Sequence, residues 1–352
     1  MNLHENKELF EELALLTKQW RQLPLEAVVK DYYIVDLLHN LQNSEFAAET
    51  IFKGGTSLSK CYNGVIQRFS EDIDLTFISS KELGSSARRK ALEQMVNQIS
   101  YGYSDKKTIT KGDKNRTEEV HFNSDLIDNP ELNKIKLEIG TVVNYGRSEA
   151  LQAKSYIHEY LESINRKDII NEYNLQAVSL NVLPIEITFL EKLYAIKTQT
   201  YQNTIGRNAR HIFDVTQLLK HQRIIDFLNN PPHFFEILSL VKEQTKAYSA
   251  KRNMEINYDL DGPYAFKDWK KSLNEQAKDG YNDLFKHMIY GGIQYSFDEA
   301  ILAIEKLDIQ LQELDANKNK AHLSLDYMLS KNEKIKNLQD CCSPTKNNDY
   351  ER

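Results

Sequence analysis

Between Lys53 and Phe77 the apolar residues of this chain change period, and a glycine pair stands at the head of the change. The stretch reads KGGTSLSKCYNGVIQRFSEDIDLTF. Leu58, Cys61, Tyr62, Val65 and Ile66 recur at i, i+3, i+4, i+7 and i+8, the stripe of a helix laid against a sheet. From Asp72 the period is two. Ile73, Leu75 and Phe77 point one way, Asp72 and Asp74 the other. A glycine turn, a packed helix and a strand in so short a span call for a layered architecture of sheet and helices.

The same stretch carries chemistry. Gly54 and Gly55 let the backbone approach an anion closely, and Thr56 and Ser57 add hydroxyl donors beside free N–H groups at a helix start. Asp72 and Asp74 lie roughly 6.5–7 Å apart along the strand, close enough to hold one Mg²⁺ or to flank a pair. A phosphate cradle next to a metal-binding pair points to phosphoryl or nucleotidyl transfer. A tight turn followed by a solvated edge strand is the alternative. Two like-facing aspartates with no lysine between them repel on a packed strand unless a cation or water is near, which weights the metal site.

At 352 residues the chain has room for two domains, or for one core with a substantial extension. Its 41% hydrophobic and 27% charged content is that of a globular protein with a real core. The net charge of −6 excludes a constitutively basic nucleic-acid coat, so any RNA contact requires a local patch. Lys106–Arg116 (KKTITKGDKNR) is such a segment; a solvated loop is the competing reading. No apolar run is long enough to cross a membrane and the first residues are acidic and polar, so the expected location is cytoplasmic, with no membrane partner. The cysteines, Cys61, Cys341 and Cys342, are odd in number and lack metal-ligand spacing, which argues against a disulfide framework or a zinc site.

Two helices are expected between about residues 6 and 45, marked by Leu9, Phe10, Leu13 and Leu16 and then by Val28, Tyr32, Ile34, Val35, Leu37 and Leu38. A charged helix follows the aspartates over Ser80–Gln98, and alternation over Tyr101–Val143 predicts further strands. In KIKLEIG, Ile135, Leu137 and Ile139 face one way, Lys136 and Glu138 the other. From about Gly146 the pattern is helical. Pro184 opens a helix, Arg207–Leu219 forms another, Pro231-Pro232 is a break, and two or three more helices run to about residue 340. The last residues, 341–352, read as disordered.

A second constellation lies in Ile187–Lys220. It contains Glu191-Lys192-Leu193-Tyr194-Ala195 and then Arg210-His211-Ile212-Phe213-Asp214. On one helix Arg207, Arg210 and Asp214 fall at i, i+3 and i+7, on a shared face, and the loop Thr200–Gly206 can fold that helix back against the one carrying Lys192. Lys192 and Asp214 then form either an ordinary salt bridge between helices or part of a phosphate site.

The forms FKGGTSLSKCY and RFSEDIDLTF resemble the active-site signature of the DNA polymerase β-like nucleotidyltransferase superfamily, G-[GS]-[ST] followed by a strand with D-x-D. They look in particular like its AbiEii/AbiGii (MenT-like) branch, the toxin components of bacterial toxin–antitoxin and phage-exclusion systems. Weaker matches extend the likeness to Lys30–Leu219, including the E-K-[LI]-x-A helix and the R-x-x-D helix of that family. His211 departs from the pattern, standing where the family often has Asp, and Asp214 matches it.

The resemblance implies an α+β fold: a mixed sheet flanked by helices in residues 1–145, a mainly helical domain in 146–340 that contributes Lys, Arg and Asp to the site, and the tail. It implies Asp72 and Asp74 as ligands for Mg²⁺ or Mn²⁺ and Lys192 as a contact for the triphosphate of an NTP, positioned by Asp214. Arg207 or Arg210 would hold phosphate or acceptor backbone. Members of the superfamily commonly carry a third carboxylate on a neighbouring strand. Glu138 is the candidate; an edge-strand Glu paired with lysine is the equal alternative. The implied acceptor is the 3′ end of tRNA, whose modification blocks translation, with an antitoxin protein as partner. A small-molecule nucleotidyltransferase of the antibiotic-modifying type and a non-catalytic NTP-binding module remain as rivals.

Overall fold

The computed structural model describes residues 1–201, 204–250, 273–289 and 295–318, together with Phe266 and Lys270. Seven strands form one mixed sheet: β1 (Thr50–Lys53), β2 (Asp72–Phe77), β3 (Asp105–Lys111), β4 (Asn115–His121), β5 (Lys134–Gly140), β6 (Glu149–Ala153) and β7 (Val178–Val182). Their order is β3-β4-β5-β2-β1-β7-β6. β2 runs parallel to β5, and β1 parallel to β7; the other neighbours are antiparallel. The expected α+β architecture is therefore present, with the aspartate strand near its centre.

The two N-terminal helices are α1 (Lys7–Arg21) and α2 (Leu25–Gln42). The Asn6 side chain caps α1 by accepting from the Leu9 N–H. α2 is buried almost all round, Lys30 and Asp31 included, because it is packed against β5 and β7 on one side and α1 on another. α4 (Ser85–Ile99), labelled in chain order after α3 (Gly54–Cys61), packs on β4 and α2. These helices cover the sheet face formed by Ile73, Leu75, Val120, Leu137 and Ile139, all fully buried.

Three details differ from the sequence reading. The helix after the glycines stops at Cys61, because Asn63 and Gly64 take left-handed φ values of 52° and 64° and end it. Tyr62 and Ile66 are still buried, but from an irregular loop, where the Tyr62 hydroxyl donates to the Leu183 carbonyl at 2.9 Å. Lys106–Arg116 is a β-hairpin with a bulge between Thr108 and Thr110, not a loop. As the sheet edge, β3 is solvated on both faces and shows no alternation. Finally, the segment after Gly146, read as helical, supplies β6 and β7, which extend the sheet beyond β1.

The remaining helices are α5 (Tyr156–Ser163), α6 (Lys167–Glu172), α7 (Ile185–Tyr201), α8 (Arg210–Leu218), α9 (Gln222–Leu228), α10 (Pro231–Ala250) and α11 (Glu275–His287), and residues 297–318 are also helical. Pro231 opens α10, in the first turn where a missing N–H costs nothing. α7 packs on α8, α9 and α10. α11 crosses the Gly206 turn so closely that a Cβ on Gly280 would collide with the Gly206 carbonyl. Beyond it, Phe69 N–H donates to the Met288 carbonyl at 2.8 Å, and Arg68 bridges to Ile289. The C-terminal helices thus brace the segment that enters β2. Cys341, Cys342 and the expected disordered tail lie outside the described residues. Among the described residues no helix is long and apolar enough to cross a membrane.

One ion pair locks α2 to α3. Asp31 is fully buried, paired with the buried Lys60 and accepting from the Tyr156 N–H at 2.6 Å. Lys60 also sits over the Tyr156 ring, 3.6 Å from its centroid. Removing one partner leaves a buried charge uncompensated. Lys60→Met is expected to cost ~3–5 kcal/mol, read as a lower urea midpoint, while the double change Asp31→Asn with Lys60→Met recovers part of the loss. An unchanged midpoint in the single variant would disprove this account of the pair.

Candidate active site

The glycine turn is built around Asp74. Gly54 has φ of +82°, and a Cβ there would overlap the Asp74 carboxylate. A Cβ on Gly55 would come within 2.8 Å of Ser70 Oγ and 2.9 Å of the Arg68 guanidinium. Both positions therefore require glycine for close approach, and Gly54 also for its backbone angle. The Thr56 and Ser57 side chains turn inward: Thr56 Oγ1 donates to the Asp72 carbonyl and accepts from Ser70 Oγ at 3.1 Å, and Ser57 Oγ donates to the Gly54 carbonyl at 3.0 Å. Of the two hydroxyls expected as donors to an anion, that of Thr56 ties the turn to β2 and that of Ser57 closes back on the turn itself. The first-turn N–H groups of α3 have no intrahelical partner.

β2 projects Asp72 and Asp74 from the face opposite Ile73 and Leu75. In register, Asp74 is flanked by Lys53 on β1 and Glu138 on β5, and Asp72 by Lys136. Glu138 is thus the next carboxylate along the row. Its side chain is paired with Lys136, both about two-fifths exposed (41% and 44%). Both readings of Glu138 from sequence are compatible with this placement. Glu71 is turned the other way, onto Lys30 at 2.7 Å. Burial and the Glu138 charge push the Asp74 carboxyl up to about 6, opposed by Lys53. Burial also raises Asp72, against the pull of Arg210 and Lys136.

The donor set suits a hard divalent cation, since carboxylate oxygens are the preferred ligands of Mg²⁺ and Mn²⁺. Among the described residues no three His, Cys, Asp or Glu side chains converge on one point. The fit therefore rests on Asp72 and Asp74, with Glu138 able to join on leaving Lys136.

α7 and α8 bring the second constellation to the same place. Lys192 Nζ donates to Asp214 Oδ2 at 2.7 Å, both side chains buried. Arg68, given no role from sequence, grips the same carboxylate in a fork, with Nε on Oδ1 at 2.6 Å and Nη2 on Oδ2 at 2.8 Å. Burial pushes Asp214 up, but the charges and hydrogen bonds of Arg68 and Lys192 outweigh it and hold the carboxyl far below the usual range. Burial lowers the Lys192 ammonium, with Asp214 opposing and Arg68 reinforcing. His211 is kept neutral, its pKa well below the ordinary imidazole value through burial and then the Lys192 charge. Arg210 opens α8 with Nη1 3.6 Å from Asp72 Oδ2. Arg207 stands apart, in a short 3-10 helix, Ile205–Asn208, and its side chain lies outside the described residues.

Asp74 yields a stability prediction. Its folded-state pKa lies above the unfolded value of about 3.9, so the ionised group destabilises the fold above about pH 6 and has no such effect below about pH 4. Asp74→Asn, nearly isosteric, is expected to raise Tm by about 3–6 °C near pH 8 and to leave it unchanged near pH 4. A Tm gain independent of pH would refute the electrostatic cause.

A family model described as nucleotidyl transferase AbiEii toxin, type IV toxin–antitoxin system, matches residues 36–303. No curated protein matches the chain. Among solved structures it is similar to JHP933 from Helicobacter pylori, at 16% identity over 86% of this chain and 97% of that one, with a TM-score of 0.45. It is similar also to MenT4, a nucleotidyltransferase toxin from Mycobacterium tuberculosis, at 15% identity over 87% and 92%, TM-score 0.45. A putative nucleotidyltransferase from H. pylori follows at 16% identity over 75% and 98%, TM-score 0.37. The family match starts within α2 and runs past the end of α11, taking in the glycine turn, the aspartate strand and the Lys192–Asp214 pair, and the chain belongs to the AbiEii family of nucleotidyltransferase toxins of toxin–antitoxin systems.

Proposed function

We propose that this toxin transfers a nucleoside monophosphate from an NTP to the 3′ end of an RNA, tRNA being the expected acceptor, and so blocks translation. The observation that carries the reading is the convergence of Asp72, Asp74, the Gly54–Gly55 turn and Arg210 on one open sheet face.

Asp72 and Asp74 would hold Mg²⁺ or Mn²⁺, with Glu138 as the further carboxylate. When bound, such ions supply Lewis acidity to the acceptor hydroxyl and neutralise charge on the leaving pyrophosphate. The chain's own residues supply the rest. The N–H groups at the start of α3 face the triphosphate, and Gly54 and Gly55 admit it close to the backbone. Lys192 adds positive charge from behind. Asp214 fixes its ammonium and is itself fixed by Arg68, so the cation is preorganised before the nucleotide arrives. Arg210, about one-third exposed and beside Asp72, is placed to meet phosphate oxygens of nucleotide or acceptor. Glu138, in register beside Asp74, is placed to accept the proton from the attacking hydroxyl once it leaves Lys136.

The test is incubation of the purified chain with Mg²⁺, each α-labelled NTP in turn and total bacterial tRNA. Label is expected in tRNA with one preferred nucleotide. Asp72→Ala and Asp74→Ala are expected to remove it by at least ~10³-fold with far-UV circular dichroism unchanged. Label appearing in an aminoglycoside-like small molecule instead of RNA would transfer the reading to antibiotic-type chemistry. Substantial turnover by Asp72→Ala would sink the metal assignment.

A further inference from the structure

Two rows of side chains lead from the aspartates to the basic edge of the sheet. Asp72 is in register with Lys136, Lys136 with Glu119, and Glu119 with Lys107. One row on, Asp74 is in register with Glu138, Glu138 with Thr117, and Thr117 with Thr110. Residues in register on adjacent strands project to the same face. Lys107 therefore faces the same side as the aspartates, three strands away, or about 14 Å. No packed apolar residue interrupts either row.

The edge itself is cationic. Lys106, Lys107, Lys111 and Lys114 are exposed on the β3–β4 hairpin, against Asp105 and Asp113. The more interior Arg116 is neutralised by Glu118 at 2.7 Å. Lys111 is in register with Arg116, and Arg116 with Ile139, so Lys111 projects to the helix-covered side of the sheet. No carboxylate forms an ion pair with Lys107 or Lys114 among the described residues. α4 lies on that other side, where its Ser85 hydrogen-bonds Asp113 at the hairpin turn and its Asn97 accepts from Lys106 Nζ at 2.9 Å. In a chain of net charge −6 this is a local reversal of sign. Protection of a sheet edge accounts for lysines on β3. It does not account for an uninterrupted polar track from that edge to the catalytic carboxylates.

We propose that the acceptor RNA enters across the open face of β3, β4 and β5, with its phosphates held by Lys107 at the hairpin edge and Lys114 at the hairpin turn and its 3′ hydroxyl delivered to Asp72 and Asp74. This rests on the RNA-acceptor reading above. The partner is a single-stranded RNA end, because the contacts are point charges along an edge and the rows beneath are polar and unspecific in shape. Sequence choice is not expected from this surface, since phosphate contacts position without reading bases.

The experiment compares the full chain with the double variant Lys107→Gln/Lys114→Gln and the charge-preserving double Lys107→Arg/Lys114→Arg. Binding of fluorescent tRNA is measured by anisotropy over a salt series, beside KM values for tRNA and for NTP. The glutamine variant is expected to bind tRNA more weakly, with the slope of log K against log salt shallower by about 1.4, at ~0.7 per phosphate contact. Its KM for tRNA should rise at least several-fold with KM for NTP unchanged, and the arginine variant should restore both tRNA values. If the unmodified chain labels tRNA and the glutamine variant matches it in slope and KM, the hairpin track is wrong and the RNA reading stands. If the unmodified chain neither binds nor labels tRNA, both fall.

Discussion

The site depends on a carboxylate that never meets solvent. Asp214 is fully buried between Arg68, from the segment that enters β2, and Lys192, from α7. Three parts of the chain with no covalent proximity are joined by that one group. A buried network of this kind is weak evidence for net stability, because desolvating three charges costs nearly what their attraction returns. What it does supply is position. With both carboxylate oxygens engaged, the Lys192 ammonium has one place to be, and the guanidinium of Arg68 is held against Gly55. Loss of any member leaves a buried charge without its counterpart, so the turn, the strand entry and the helix pair would be expected to fail together.

The bracing continues outward. α11 lies on the Gly206 turn that precedes α8, and its end hydrogen-bonds the Phe69 backbone beside Arg68. A helix some two hundred residues further along the chain thus supports the strand that bears the aspartates. The family match likewise runs on past the sheet, to residue 303. The C-terminal helices form one wall of the site as well as its support.

Most of the candidate site was legible in the sequence because its parts are local. The glycines, the change of period at Asp72 and the Lys192 and Asp214 helices each declare themselves within a few residues, and the structure places them together. Arg68 was not legible. It sits in the quoted motif two positions before Ser70, but its partner is 146 residues away, and no periodicity marks an arginine for burial. The available signal was that Arg68 is the one Lys or Arg between Lys60 and Lys81, at the entry to an acidic strand. β6 and β7 were hidden by brevity: Glu149–Ala153 and Val178–Val182 are five residues each, too short to outweigh the helical pattern around them. β3 falls within the Tyr101–Val143 stretch read as strands, although as an edge with both faces wet it shows no alternation of its own, which is why its lysines also read as a loop. The inward turn of Thr56 follows from its bonds to Ser70 and Asp72, and that of Ser57 from its bond to the Gly54 carbonyl, neither of which residue type alone encodes.

The aspartate pair shows the cost of such a site and its use. Asp72 and Asp74 stand on one strand face with Glu138 in register, and burial raises both aspartates. A fold selected for stability alone would place neutral residues there. Lys53, Lys136 and Arg210 relieve the repulsion without removing it, since none is locked into a fork as Arg68 is on Asp214. The contrast is between two kinds of charge in one site. Asp214 is compensated in full and immobile, and so fixes geometry. Asp72 and Asp74 are compensated in part, their nearest cations half-exposed, which is what the proposed cation site requires. A site that had satisfied its carboxylates internally would have no affinity left for a cation or for the nucleotide that a cation accompanies.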